Sequence, residues 1–510
     1  MLDNTQLNSQ RNEVDRPYFD SYSHLSIHHT MLRDQIRTLT YRNAILQATE
    51  DFKDKVVLDV GCGTGILSHF CLKSGAKKVY AVDASDIADQ AKRIAEDNGV
   101  ADKIIIIKGK IEEIEIPEEV DIIVSEWMGY GLLYESMFDS VIVARDKWLK
   151  KDTGFLFPSH ARMFMAPFSD ERFYKDTISF WKDVNGVNME SLIPFAKKCF
   201  YQEAEVVNTP VESVIANEVC LKEFELRKTR PEDLREFSSE FMFKSQQIGE
   251  FNGFCVWFDV AFESPSMRKR WLSGEDVCAH MQKTIEEFAL NDSTSLSQSG
   301  SNTFISSWKS KNSEQVLTLR DPPQPLRKES ILEGYTAFVP CAPLLSTSPF
   351  SPSTHWSQTI LHIPLRLYLL QDDEIKGRIK MHSMDVKVSR KMTFEVEIDI
   401  PLIEDCEAPS SSSEDESDIA GGEESTFALA YLHRAFKWMD EAKQTSGINT
   451  SASQEQKSDK KELDDRFHYI PGITKSTKEI KDLENKVEKI PQPPPLIGKI
   501  ETHKYSFALV

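Results

Sequence analysis

The sequence predicts an α/β domain with a doubly wound parallel sheet, followed by an antiparallel β domain that forms a sandwich or a barrel. Short apolar runs alternate with helical patterns between residues 51 and 157, which is typical of strands joined by helical crossovers. Beyond Pro158 the pattern changes, and residues 392–400 alternate strictly between apolar and polar. That alternation indicates a strand with one buried face. With 510 residues, the chain is long enough for about two to four domains.

Four strands and two helices are predicted in the first region. The strands are Lys55–Val60, Lys78–Asp83, Ile104–Ile107 and Val120–Val124. One helix covers Ile66–Leu72, and another begins at Ser85, a favourable N-cap residue, and ends at Asn98-Gly99, a common C-terminal signal. We therefore assign residues 51–157 to the parallel sheet domain and residues 1–50 to an N-terminal helical cap.

A second domain is predicted over residues 158–403, where Phe254–Phe262 and Ile360–Leu370 are also expected to be extended. Residues 168–200 differ, because their apolar side chains recur at near-helical spacing. The side chains in question are Phe173, Tyr174, Ile178, Phe180 and Trp181. We expect this segment to be a helical arm inserted into the β domain.

Two segments are too polar to offset the entropy of ordering and are expected to be mostly disordered. Residues 264–342 form an insertion rich in Ser, Asn, Pro and charge, and residues 404–510 form an acidic, Ser- and Pro-rich tail. Nine acidic residues and no basic residue lie between positions 404 and 424. Much of the acidic excess is therefore expected on this segment.

Composition and charge exclude several classes of protein. The 61 Lys+Arg against 81 Asp+Glu give a net charge of -20, so direct binding to nucleic-acid phosphates is not expected. The polar N-terminus lacks the apolar core of a signal peptide, and no apolar run approaches the roughly 18 residues of a membrane span. The eight cysteines include no C-x-x-C pair, which argues against a zinc site or a disulfide framework. We therefore expect a reduced intracellular compartment, no membrane and no metal.

A candidate cofactor site begins after the first strand, in the run Asp59-Val-Gly61-Cys-Gly63-Thr-Gly65. Glycines at a strand-to-helix turn let the backbone approach a ligand closely, and the helix N-terminus favours negative charge. The third glycine follows the second by two residues, so the run departs from the G-x-G-x-x-G fingerprint of dinucleotide sites. The alternative is an ordinary tight turn.

Two acidic residues support a nucleoside cofactor. Asp83 ends the next strand, where an acid accepts hydrogen bonds from a ribose, and Glu112 follows the third strand, where an adenine amine would lie. Together with the glycine turn they favour a nucleoside without a pyrophosphate, and S-adenosylmethionine fits. The alternative is that both are solvated loop carboxylates.

A candidate reaction site follows the fourth strand, in the loop from Ser125 to Met137. It contains two glutamates, Glu126 and Glu135, at the carboxyl end of a parallel strand, where ligands of such sheets bind. Two carboxylates in an apolar site repel each other, and a guanidinium relieves that repulsion because it matches carboxylates with several N–H donors. Arginine is therefore the predicted methyl acceptor; the alternative is a loop with two exposed acids.

The sequence resembles the type I protein arginine methyltransferases, which produce asymmetric dimethylarginine, over residues 17–262 and 343–400. The motifs that carry the resemblance are Tyr18–Tyr22, Ile27-His28, Met31–Arg42, Val60–Gly65, the double-glutamate loop and Thr354–Trp356. The run Leu345–Phe350 is most similar to the subfamily of arginine methyltransferase 6, whose members are mainly nuclear. The nucleus is therefore the expected location, with the cytoplasm as an alternative.

The resemblance implies a Rossmann-like cofactor domain, a β-barrel domain and a homodimer formed through residues 168–200. It implies that Glu126 and Glu135 grip the guanidinium and that His355 and Asp34 form a catalytic pair. The implied contacts to S-adenosylmethionine are His28, Arg37, Gly61, Gly63, Asp83 and Glu112. The implied residues of the substrate channel and product control are Tyr22, Met31, Met137 and Trp356. Substrates would be arginine-containing proteins such as histone tails or Arg/Gly-rich proteins.

The sequence departs from the family pattern in three places. Asp83 replaces a glutamate, His29-Thr30 replaces a pair of glutamates, and Ser357 replaces a lysine. Two other functions are open: an inactive cofactor-binding scaffold that dimerises, and a small-molecule methyltransferase. The intact glutamate pair and His355 argue against the first, and the large β domain with its arm argues against the second.

Overall fold

The computed structural model describes residues 15–247, 249–273, 342–369, 372–383, 390–401 and 500–509. Its first layer is a parallel sheet with the strand order β3-β2-β1-β4-β5. The strands are β1 (Val56–Val60), β2 (Lys78–Asp83), β3 (Ile104–Lys108), β4 (Ile122–Ser125) and β5 (Phe155–Phe157). Every residue of β1 is buried, because helices cover both faces of the sheet. The predicted doubly wound sheet is confirmed.

The register of this sheet brings the predicted motifs together. Val60 at the end of β1 pairs with Val82 on one side and with Ser125 on the other. The glycine turn, Asp83 and Glu126 therefore leave the sheet at one edge, beside the point where the strand order reverses.

The described residues of this half of the chain form seven helices. They are α1 (15–22), α2 (Leu25–Arg33), α3 (Gln35–Gln47), α4 (Thr49–Phe52), α5 (Ile66–Lys73), α6 (Ile87–Asp97) and α7 (Met137–Trp148). Ser85 was predicted as the N-cap of α6, but the N-cap in the structure is Asp86. Ser85 is not available as a cap, because its hydroxyl donates to Asp83 at 2.6 Å.

The described residues of the second half form two antiparallel sheets, which confirms the predicted barrel. One has the order β7-β12-β10-β6-β8 with β11 paired to β10, and the other has the order β15-β14-β13-β9. The strands are β6 (His160–Phe168), β7 (Glu205–Val207), β8 (Val219–Glu225), β9 (Glu236–Lys244), β10 (Gly249–Ala261), β11 (Leu344–Ser346), β12 (Gln358–Leu369), β13 (Glu374–Ser383), β14 (Met392–Pro401) and β15 (Ile500–Leu509). In β14, Phe394, Val396 and Ile398 are fully buried, as their alternation predicts.

After Phe168, the last residue of β6, the segment 169–200 is a chain of short helices outside the barrel. They are α8 (Glu171–Phe173), a π-helix (Tyr174–Ile178), two 3₁₀ helices (Ser179–Lys182 and Glu190–Leu192) and α9 (Ile193–Phe200). Phe173 fixes its base, since its ring stacks on that of His362 with 3.4 Å between the centroids. Farther along, Phe180 and Phe195 are 48% and 65% exposed. The arm therefore presents aromatic side chains that the described residues do not cover.

Two parts of the predicted disordered segments are ordered. A helix α10 (Pro265–Leu272) begins the predicted insertion; Ser264 caps it, and Met267 is buried. At the far end of the predicted tail, β15 pairs with all of β14, and Phe507 and Leu509 are buried. Composition averaged over a long segment concealed both short apolar patterns.

Residues 274–341 and 402–499 lie outside the described residues. No helix in the described part is long and apolar enough to cross a membrane.

Candidate active site

One cavity lies at the carboxyl edge of the parallel sheet, between α1, α2 and the barrel. All of the predicted site residues except Asp34 line it. Asp34 contacts His355 Nδ1 and borders a second, more open depression that His355 also lines. The cavity therefore brings the other predicted site residues together in one place. Among the described residues, no group of three or more His, Cys, Asp or Glu side chains could hold a metal ion.

The floor of the cavity is the glycine turn. Gly61, Gly63 and Gly65 have φ values of +69°, +54° and +81°, which side chains other than glycine rarely adopt. A Cβ at Gly61 would lie 2.2 Å from the Met137 Cε, and a Cβ at Gly63 would lie 3.3 Å from the His28 ring. Because these glycines have no side chains, the turn exposes its backbone to the cavity close to Met137 and His28.

Asp83 and Glu112 lie on the same side of the cavity. Asp83 Oδ2 accepts from the Gly63 amide at 2.9 Å, and its Oδ1 accepts from the Ser85 amide at 2.8 Å and the Ser85 hydroxyl. Glu112 Oε1 accepts from the Ser140 hydroxyl at 2.7 Å. These hydrogen bonds fix both carboxylates, and each keeps acceptor capacity for the hydroxyl or amine of a ligand.

Arg37 and Glu126 form a buried ion pair at the centre of the site. Arg37 donates from Nε and from Nη2 to Oε2 of Glu126, both at 2.9 Å, and each side chain is 8% exposed. Asp34 orients the start of α3 by accepting from the Arg37 amide at 2.9 Å. The ion pair therefore joins an arginine that is expected to bind the cofactor to a glutamate that is expected to bind the substrate guanidinium.

Glu135 lies in the same cavity under strain. Its φ is +75° and that of Ser136 is +56°, and left-handed non-glycine residues cost about 1–3 kcal/mol each. The Tyr22 hydroxyl donates to Glu135 Oε2 at 2.8 Å. Burial raises the pKa of Glu135, with a further increase from Glu126, although hydrogen bonds from Tyr22 and Tyr18 and the charge of Arg390 offset part of it. Glu135 is therefore a carboxylate that binds a proton more readily than a solvated one.

The loop between the two glutamates rests on the barrel. A Cβ at Gly131, whose φ is +54°, would lie 3.3 Å from both Leu509 Cδ2 and Phe394 Cζ. The barrel, including its last strand, therefore supports the loop from below.

His355 closes the cavity from the barrel side. Its Nδ1 lies 2.7 Å from Asp34 Oδ2, which also accepts from the His355 amide at 2.8 Å. Burial alone would raise the pKa of Asp34, but the hydrogen bonds from His355 and the Arg37 amide outweigh it, so the pKa is lowered. Next to it, the Trp356 indole donates to the Met128 carbonyl at 2.8 Å. The charged Asp34 thus orients His355 over the site.

Three participants were missed as site residues in the sequence. Arg390 comes from the barrel and contacts Asp15, Tyr18 and Glu135. Asp15 lies outside the region of family resemblance, and Tyr18 was quoted only as part of a motif. No sequence pattern identifies Arg390, because its contacts are made across the fold and not along the chain.

Two family models match the chain. The model for the arginine methyltransferase oligomerization subdomain matches residues 159–299 and 336–400, and the model for ribosomal protein L11 methyltransferase matches residues 43–132. The interruption of the first match is shorter than the predicted insertion 264–342. Helix α10 accordingly belongs to the matched domain.

Several known proteins are similar over most of their length. A probable protein arginine N-methyltransferase 6 of Arabidopsis thaliana is 40% identical over 369 residues, which are 72% of this chain and 75% of that protein. Protein arginine N-methyltransferase 6 of Danio rerio is 36% identical over 73% of this chain and 86% of that protein. Protein arginine N-methyltransferase 1 of Schizosaccharomyces pombe is 47% identical over 48% of this chain and 71% of that protein.

The fold is similar to that of a solved arginine methyltransferase. The Trypanosoma brucei PRMT1 enzyme–prozyme heterotetrameric complex with AdoHcy contains a chain that is 32% identical, with a TM-score of 0.56 over 74% of this chain and 95% of that chain. Arabidopsis thaliana protein arginine methyltransferase 10 gives 29% identity and a TM-score of 0.55 over 75% of this chain.

Proposed function

Because this chain belongs to the protein arginine N-methyltransferase family and is an S-adenosylmethionine-dependent methyltransferase of the type I class, we propose that Glu126 and Glu135 hold the substrate guanidinium in its central cavity. The observation that carries this proposal is that two glutamates line one cavity, beside the glycine turn that would hold the cofactor. The product we propose is monomethylarginine and then asymmetric dimethylarginine.

The residues of the cavity fit S-adenosylmethionine. Arg37 supplies a cation for its carboxylate, Asp83 and Glu112 supply acceptors for a ribose and an adenine amine, and the glycine turn admits the ligand against bare backbone. His28, 3% exposed and bonded through Nε2 to the Tyr22 carbonyl at 2.8 Å, would border its methionine portion. When bound, the cofactor supplies an electrophilic methyl group on a positively charged sulfonium.

The two glutamates offset the positive charge that the reaction concentrates. A guanidinium beside a sulfonium would be repelled, and preorganised carboxylates lower that cost most strongly in a site shielded from water. Arg37 holds one oxygen of Glu126, and Tyr22 holds one oxygen of Glu135, so neither has to reorganise. The carboxylates orient the guanidinium and increase the electron density on its terminal nitrogen.

The chain also provides groups that take up the proton. Since the pKa of arginine exceeds about 12, the proton leaves with or after methyl transfer, not before it. Glu135 is suited to accept it, because burial raises the pKa of its carboxyl group. The pair of His355 and Asp34 stands at the rim as a second acceptor.

We further propose that the substrates are arginine-rich regions of proteins, such as histone tails or Arg/Gly-rich proteins, and that the protein acts in the nucleus as a homodimer. The acidic chain, with a net charge of -20, favours basic partners. The matched oligomerization subdomain and the exposed Phe180 and Phe195 of the arm support assembly through that segment.

Transfer of a labelled methyl group tests the choice of acceptor. Purified protein would be incubated with methyl-labelled S-adenosylmethionine and an Arg/Gly-rich peptide, with the same peptide carrying Lys at each Arg position as the control. We expect label on the arginine peptide only. Cofactor binding without transfer to any arginine peptide would support an inactive scaffold, and transfer only to small metabolites would support a small-molecule methyltransferase.

A further inference from the structure

Arg390 lies two residues before β14 and joins three parts of the molecule. Its Nη1 donates to the Glu135 carbonyl at 2.6 Å, and its own carbonyl accepts from the Glu135 amide at 2.8 Å. Its Nη2 and Nε donate to Asp15 Oδ1 at 2.7 and 3.1 Å. Its guanidinium carbon lies 3.8 Å from the centroid of the Tyr18 ring. A barrel residue therefore contacts the double-glutamate loop and helix α1 at the same time.

On the loop side, Arg390 holds the strained residue of the site. Glu135 has a left-handed backbone that a free chain would rarely adopt, and Arg390 bonds both the amide and the carbonyl of this residue. These two hydrogen bonds fix the direction of the Glu135 side chain into the cavity. The barrel thus supplies the conformation that the loop sequence does not favour.

On the helix side, Arg390 holds α1 over the cavity. Asp15, whose side chain is 9% exposed, bonds Arg390 and also Lys110, at 2.9 Å. Lys110 lines the cofactor side of the cavity, next to the strand that leads to Glu112. Because α1 carries both Tyr18 and Tyr22, closing this helix delivers the Tyr22 hydroxyl to Glu135.

We propose that Arg390 is a positioning residue that couples the seating of helix α1 over the cofactor to the placement of Glu135 for the substrate guanidinium. The Arg390 guanidinium donates hydrogen bonds to both Asp15 and the Glu135 carbonyl. Loss of either hydrogen bond therefore weakens the other. The acceptor site is then complete only when α1 is closed. This inference rests on the proposed role of Glu135 in gripping the guanidinium.

Arg390→Lys and Asp15→Asn test the coupling in the full-length protein. Lysine keeps the charge but lacks the planar fork that reaches Asp15 and the Glu135 carbonyl at once. Asp15→Asn touches neither Glu135 nor the glycine turn, yet it should weaken the grip on Arg390. The matched control is Arg378→Lys, because Arg378 is also in the barrel but is 56% exposed and pairs with Glu240.

Three readouts separate coupling from simple loss of fold. We expect Arg390→Lys and Asp15→Asn each to lower kcat at least 10-fold, with less than a 3-fold change in the peptide KM at saturating S-adenosylmethionine. In both variants, hydrogen–deuterium exchange should increase in residues 15–22 and in the loop that contains Glu135. In Arg390→Lys, the acid limb of the pH profile should move, whereas Arg378→Lys should match wild type in every measurement.

Different outcomes overturn different claims. If Asp15→Asn leaves kcat and exchange in the Glu135 loop at wild-type values, α1 and the loop are not coupled. If Arg390→Lys lowers only the melting temperature and keeps the pH profile, its role is structural. Glu135→Gln serves as the reference, because normal activity in that variant contradicts the proposed function itself. If Glu135→Gln is inactive while Arg390→Lys and Asp15→Asn have normal activity, only the coupling is contradicted.

Discussion

Both side-chain nitrogens of Arg37 that face Glu126 donate to the same carboxylate oxygen, Oε2, at 2.9 Å. Among the described residues, Oε1 of Glu126 accepts no hydrogen bond, so one oxygen of this buried glutamate stays available to the cavity. The arrangement explains how a residue expected to bind the cofactor also orients a residue expected to bind the substrate. Changes at Arg37 are therefore expected to affect both ligands.

Asp83 is predicted to bind the ribose of the cofactor. Asp83→Ala should weaken S-adenosylmethionine binding by about 1–3 kcal/mol, the cost of leaving buried polar groups unpaired. Isothermal titration calorimetry measures this change. Asp83→Asn, which keeps an acceptor oxygen, is the milder comparison. Unchanged affinity in Asp83→Ala would mean that Asp83 only braces the turn through the Gly63 amide and Ser85.

The pH dependence should report Glu135. Its pKa is raised by burial above the usual 4.5, and the carboxylate is the active form, so kcat/KM should fall as the pH drops through the raised value. Tyr22→Phe removes a hydrogen bond that lowers this pKa, and should move the acid limb to still higher pH. An acid limb at or below pH 4.5 in folded protein, checked by circular dichroism, would contradict this assignment.

The same burial predicts that Glu135 opposes folding at neutral pH. A carboxyl group whose folded pKa is raised stabilises the fold below its unfolded pKa, near 4.5, and this contribution is lost as the pH rises through the folded value. Glu135→Gln should therefore keep or increase the melting temperature at pH 7–8. A marked decrease would show that the charged side chain supports the fold and would complicate its use as an activity probe.

The arm is predicted to mediate dimerisation. Phe195, 65% exposed on α9, should lie against the partner subunit, so Phe195→Asp should shift the protein toward a monomer. Light scattering at micromolar concentration measures the oligomer. Met242→Asp is the control, since Met242 is 57% exposed on β9 and outside the arm. A monomeric wild-type protein would contradict the prediction.

The order of helices and strands and the place of the glycine turn follow from local pattern and could be predicted. Glu126 and Asp83 come together because parallel strands end at one edge, which a sequence also reveals. The link from Arg390 to Asp15 could not be predicted, because it is a direct side-chain contact between residues 375 positions apart along the chain. The strand β15 was missed for a similar reason: 98 residues separate it from its partner β14 along the chain, and this polar segment dominates the composition.

The product should be asymmetric dimethylarginine. Met31 and Met137 both line the cavity, and unbranched thioethers can yield the space that a first methyl group needs. Met31→Phe should reduce the asymmetric product relative to monomethylarginine. Mass spectrometry separates the isomers, because asymmetric dimethylarginine loses dimethylamine and the symmetric form loses monomethylamine. Mainly symmetric product from the wild-type protein would contradict this prediction.

The most direct test of the site is methyl transfer by Glu126→Gln and Glu135→Gln, measured with an arginine peptide beside Glu119→Gln, an exposed control. Each site variant should lose at least about 100-fold in kcat, the scale of removing one preorganised electrostatic partner, while the control keeps wild-type activity. Activity within a few-fold of wild type in either site variant would contradict the claim that this pair of glutamates holds the substrate guanidinium.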